Sequence, residues 1–76
     1  MRYYMSESKS IFQPSDIVKV IVDNREIGRG SYMDALSEMY KMIKHWHLYV
    51  KGTWTSPDNT SEFWDVGMRV VEITRA

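Results

Sequence analysis

The sequence predicts an α+β domain: an antiparallel β-sheet with one helix packed on one face, in the order β-β-α-β-β. Three observations carry this. Residues 17–22, "IVKVIV", are almost all β-branched and lead into turn residues and a short second stretch; the apolar period changes from 2 to 3.6 after Ser31; and it returns to 2 from Leu48 onward. A single helix can cover only one side of such a sheet, so the opposite face is expected to stay open.

Within the first strand Val18, Val20 and Val22 share one face and Ile17, Lys19 and Ile21 the other, which suits an interior strand. Asp23 and Asn24 stand where a tight turn is expected, and "REIGR" reads as the return strand of a hairpin. Gly28 and Gly30 are expected to end that strand by permitting positive φ or close packing. Ser31 with Asp34 three residues on forms a variant of the capping box, and a helix begins there. Its apolar stripe is Leu36, Met39, Tyr40, Ile43 and Trp46, with Asp34, Ser37, Glu38, Lys41, Lys44 and His45 off the stripe. Acidic residues early and basic residues late suit the helix dipole.

From Leu48 the residues alternate again, Leu48, Val50, Gly52 and Trp54 against Tyr49, Lys51, Thr53 and Thr55, up to the turn "SPDNTS". The last segment, "EFWDVGMRVVEIT", reads as one strand bent by a bulge near Gly67. Residues 1–14, with Tyr3 and Tyr4, the polar "SESKS" and Pro14, read as a tail or an edge strand ahead of a single domain at 15–76.

Composition narrows the function. The chain has 76 residues, a size at which one core is only marginally sufficient, and no cysteine to supply a disulfide or a thiolate metal site. A partner chain or a homodimer through edge-strand pairing is the expected supplement. Ten basic residues balance ten acidic ones, which argues against a general electrostatic nucleic-acid binder and leaves only local basic patches for that role. The N-terminal residues lack an apolar signal region and the longest hydrophobic run is interrupted by Lys19, so a soluble, cytoplasmic protein with no membrane span is expected.

Catalytic and cofactor chemistry finds little foothold. The glycine turn at 28–30 opens onto a helix, a place where phosphates are often held, but the Lys-Ser or Lys-Thr of a nucleotide loop is missing. The turn is therefore expected only to redirect the chain. His45 and His47 form an HxH pair that would point about 200° apart in a helix, and no third ligand accompanies them, so no metal is expected. No arrangement activates a nucleophile. The chain is expected to be neither an enzyme nor a cofactor carrier.

Two binding surfaces remain. Trp54 faces the segment "EFWD" across the turn, and Phe63 and Trp64 alternate, so one of them must point away from the helix. With Glu62, Asp65 and Arg69 these aromatics have the composition of a protein-interface hot spot, unless Tyr3, Tyr4 or Phe12 fold over and bury them. The alternative is a small nucleic-acid module across residues 41–54, where Lys41, Lys44 and Lys51 are interleaved with aromatics such as Tyr49.

The segment "IVKVIVDNREIGRGSYMDALSEMYKMI" resembles the hairpin and second helix of a double-stranded RNA-binding domain. The phosphate-gripping lysines of that family are replaced here by Tyr32, Met33 and Asp34, and its first helix has no counterpart. In plan, and in the segment "VDNREIGRGSYMDALSEM", the chain also resembles the short phage-encoded inhibitors, anti-CRISPR proteins among them. That resemblance implies a phage or mobile-element origin and a protein or ribonucleoprotein target.

Overall fold

The computed structural model describes residues 10–76. Five strands form one antiparallel sheet: β1 (Ile17–Val22), β2 (Arg25–Ser31), β3 (Gly52–Thr55), β4 (Ser61–Asp65) and β5 (Val70–Arg75), with α1 (Tyr32–His45) between β2 and β3. Their spatial order is β2-β1-β5-β4-β3, so the last strand in sequence is the central one and β2 and β3 are the edges. The α+β class and the antiparallel sheet with one helix are as expected. The element order is β-β-α-β-β-β, one strand more.

The extra strand comes from the C-terminal segment, which is a hairpin and not a single bent strand. Asp65 pairs with Val70, the Val66 N–H donates to the Arg69 carbonyl at 3.0 Å, and Gly67 takes φ of 105° at the apex. A two-residue hairpin loop with glycine at its first position reverses the chain there. The reversal also shifts the phase of the strand. In one continuous strand Phe63 and Val71 would share a face, whereas here Trp64 pairs with Val71 and Phe63 with Glu72.

The first hairpin forms as its sequence demands, since Asp23 and Asn24 both have positive φ, 54° and 64°, as a type I′ turn requires. Gly28 and Gly30 behave differently from expectation. Strand β2 runs through both to Ser31, and neither has positive φ. An added Cβ would meet nothing within 4 Å at either glycine, so close packing is not their role. The register slips instead between Val20 and Ile21, which leaves Ile27 as the extra residue of a bulge.

Ser31 caps α1 as expected: its Oγ accepts from the Asp34 N–H at 3.1 Å. The far end closes in a Schellman motif, with the Leu48 N–H donating to the Ile43 carbonyl at 2.9 Å and His47 in the left-handed region at φ 56°. Helix geometry therefore stops at Trp46, and the next strand starts at Gly52, not at Leu48. Glycine is favoured at the position of His47 because it has no Cβ to crowd the backbone. His47→Gly is expected to stabilise the fold by about 0.5 kcal/mol, seen as a raised urea midpoint at unchanged slope.

The core lies between the helix and one face of the sheet. Val18, Val66, Val71 and Ile73 are fully buried, and Val22, Tyr32, Ala35 and Met39 close around them. The buried helix stripe is thus Tyr32, Ala35 and Met39, with Leu36, Met42 and Ile43 partly covered, while Tyr40 and Trp46 of the expected stripe are exposed. Phe12 completes the core at the start of the helix, its ring 5.2 Å from that of Tyr32. Residues 10–14 form no strand; Phe12 turns them inward, and Tyr3 and Tyr4 lie outside the described residues.

Candidate functional site

Strand register decides which side chains meet on the open face. Two cross-strand rows run over it: Ile21, Glu72, Phe63 and Trp54, then Lys19, Thr74 and Ser61. Phe63 and Trp54 are directly opposite on neighbouring strands and their rings stack, with centroids 5.6 Å apart and planes 13° from parallel. Trp54 is 47% exposed and Ile17, at the other end of the face, 56%. Between the stacked pair and the two hairpin turns lies a recess of about 440 Å³, lined by Ile21, Phe63, Val70, Asp65, Glu72 and Arg69.

Charges frame this surface. Arg69 bridges to Asp23 at 2.8 Å, tying the two hairpin turns at one end of the sheet, and Arg29 makes a bidentate pair with Glu26 at 2.9 and 3.0 Å. Both pairs are solvent-exposed and worth little to stability. Glu72 accepts from the Ser61 hydroxyl at 3.0 Å, which fixes its carboxylate beside Phe63. The aromatic pair thus stands toward the β3 edge of the face, next to polar Glu72 and Thr74 on the central strand.

Of the six residues grouped from sequence, Trp54, Phe63 and Asp65 reach this face and Arg69 stands at its edge. Trp64 and Glu62 do not. They pair with Val71 and Ile73 on the helix side, where Trp64 meets Tyr40 edge-on at 5.8 Å and Glu62 is 7% exposed. The Glu62 carboxyl group accepts from the Tyr32 hydroxyl at 2.5 Å, the Ser10 hydroxyl at 3.0 Å and the Trp64 indole N–H at 3.3 Å. Burial and this bond push the Tyr32 phenol above its ordinary range, so it stays a donor. Phe12 is buried on the same side and so does not cover Trp54 and Phe63.

Sequence reasoning missed Val70 and Glu72 as site residues, because an undivided last strand gives them no partner next to Phe63. Ile17, Lys19 and Ile21 were separable by their alternation within the first strand, yet nothing in the sequence placed them beside the aromatics. Only the β1–β5 pairing does so.

The residues of the nucleic-acid alternative lie on the second half of α1 and on the connection that follows it. Lys41 and Lys44 lie on the exposed helix surface, with Lys41 at 3.4 Å from Glu38, and Tyr49 and Lys51 lie in the connection to β3. His45 and His47 sit on either side of the helix cap, and no group of three metal-ligating side chains occurs among the described residues. Among those residues no helix is long and apolar enough to cross a membrane. Comparison with protein-family models, with curated proteins and with solved structures finds no match.

Proposed function

We propose that this chain is a small non-enzymatic binding protein, an inhibitor or adaptor that occupies a surface of a larger protein or ribonucleoprotein complex through the open face of its sheet. The observation that carries this reading is the stacked Trp54–Phe63 pair on the sheet face away from the helix, beside a recess lined by both apolar and charged side chains. Large rigid aromatics over a pocket are where interface energy concentrates. The inhibitor role, and a phage or mobile-element origin, rest on the likeness in plan to short phage-encoded inhibitors.

Phe63→Ala and Trp54→Ala are each expected to weaken capture of the partner by about 2 kcal/mol, roughly thirtyfold, with the circular dichroism spectrum unchanged. Tyr40→Ala, on the helix side, serves as the control that binds as before. The measurement is an affinity pull-down from host lysate followed by titration of the purified partner. Unaltered affinity in both aromatic variants would sink the proposal. Capture that disappears with nuclease, together with affinity that falls steeply with salt, would instead favour the nucleic-acid reading through Lys41, Lys44, Tyr49 and Lys51.

A further inference from the structure

The helix side carries a second recess that the open-face reading does not use. It lies between α1 and the edge strand β2, with a volume of about 360 Å³, and it continues into a second hollow of about 480 Å³ through the shared residues Ile27, Met42 and Val71. Its floor is bare backbone. Gly28 and Gly30 pair with Val20 and Val18, so they face the helix, and an added Cβ on either would point into open space. Val20, Ile27, Met39 and Met42 make the apolar lining, the methionines being side chains that re-pack readily around an incoming group.

Two features specify what fits there. The outer edge of β2 has no strand partner among the described residues, so its backbone N–H and C=O groups are available to an extended chain. The bulge at Ile27 interrupts the regular edge and leaves Gly28–Ser31 as the stretch that can pair. The helix wall of the first recess is acidic, and Arg69, which lines the second hollow, is engaged by Asp23. Asp34 and Glu38 line that wall, while Arg29, the cation among the lining residues of the first recess, belongs with Lys19 on the open face and is held there by Glu26. Glu38 has only an exposed contact with Lys41, too weak to withdraw it.

We propose that this groove binds an extended basic peptide segment, which adds as a short sixth strand beside Gly28–Ser31 and lays alternate lysine or arginine side chains over the helix wall. The stems of those side chains would cover Ile27, Met39 and Met42 while their charged ends meet Asp34 and Glu38. The spacing fits: residues four apart on a helix rise by about 6 Å, and alternate residues of a strand advance by about 6.7 Å. Open glycines on an edge strand have a reason under this proposal, because a side chain at either one would occupy the space the ligand stems need.

The probe is a capped six-residue peptide alternating threonine and lysine, titrated into the ¹⁵N-labelled full chain and followed by amide shifts and by fluorescence polarisation. Shifts confined to β2 and the facing side of α1 are expected. Gly28→Val should cost at least about tenfold in affinity without unfolding the sheet, and Glu38→Gln should cost severalfold, whereas Phe63→Ala should leave peptide binding unchanged. A glutamate-for-lysine peptide should not bind. The proposal is overturned if the shifts map to the open face, if Gly28→Val binds as tightly as the parent, or if the acidic peptide binds equally well. Doubling of the chain's mass in sedimentation without peptide, abolished by Gly28→Val, would overturn it in favour of a second copy on the β2 edge. Because Phe63→Ala separates the two surfaces, failure here leaves the open-face reading intact and the converse also holds.

Discussion

Ile73→Ala is expected to remove about 3 kcal/mol of stability, the middle of the range for truncating a buried isoleucine. Ile73 is fully buried on the central strand, between Val20 of β1 and Glu62 of β4, and under the helix. A domain of this length is stable by only about 4 to 11 kcal/mol at typical values per residue, so one such cavity consumes a large part of the total. Urea unfolding should show a lowered midpoint with the slope unchanged. Val70→Ala, three residues earlier on the open face, is expected to stay within about 0.5 kcal/mol. The contrast tests the phase set by the hairpin at Gly67. A loss at Val70 that matches the loss at Ile73 would show that the face assignment of β5 is wrong.

Glu62→Ala is expected to cost about 3 kcal/mol, for a different reason. Its carboxyl group is the shared acceptor for Tyr32, Trp64 and Ser10 on the covered face. Removing it strands the Tyr32 hydroxyl and the Trp64 indole N–H where water does not readily replace the acceptor, at about 1 to 3 kcal/mol for each unsatisfied group. Glu62→Gln keeps one acceptor oxygen and should lose less, and a double-mutant cycle with Tyr32→Phe should reveal coupling above about 0.5 kcal/mol. The pH dependence has a definite sign. The folded-state Tyr32 phenol is raised above its unfolded value of 10.0, so its contribution is present in full below that pH and is lost as pH rises above it. Tyr32→Phe should flatten that alkaline decline. If Glu62→Ala costs under about 1 kcal/mol, water reaches the site and the shared-acceptor role fails.

Local signals were legible wherever the cause was local. Asp23–Asn24 made a type I′ turn because two consecutive residues that tolerate positive φ stood between β-branched stretches. Ser31 capped the helix because its hydroxyl needs only the amide of Asp34 three residues on. The same reasoning failed at Gly67. A glycine in an apolar run is equally compatible with a bulge and with a hairpin apex, and the choice depends on whether a neighbouring strand is there to receive β5. It failed again at Gly28 and Gly30, whose absent side chains serve the space beneath the helix and not the backbone conformation.

The candidate site divides in the same way. That either Phe63 or Trp64 must face away from the helix follows from the two-residue period of a strand and needs no structure. Which one does so needs the tertiary structure. Phe63 lies opposite Trp54 on the open face because Trp64 is directed under Tyr40, next to the Glu62 carboxyl group.

By itself the sequence determined the class of the domain, its helix start, its first hairpin and that one of Phe63 and Trp64 points away from the helix, since each follows from periodicity, capping or turn chemistry within a few residues. The tertiary structure alone decided that the last strand is central, that Glu62 and Trp64 belong to the covered side, and that a groove runs beside β2. The central place of β5 depends on pairings between residues more than fifty positions apart, such as Val18 with Arg75 and Val20 with Ile73, which no local pattern encodes, and the other two depend on how the sheet so assembled packs against the helix.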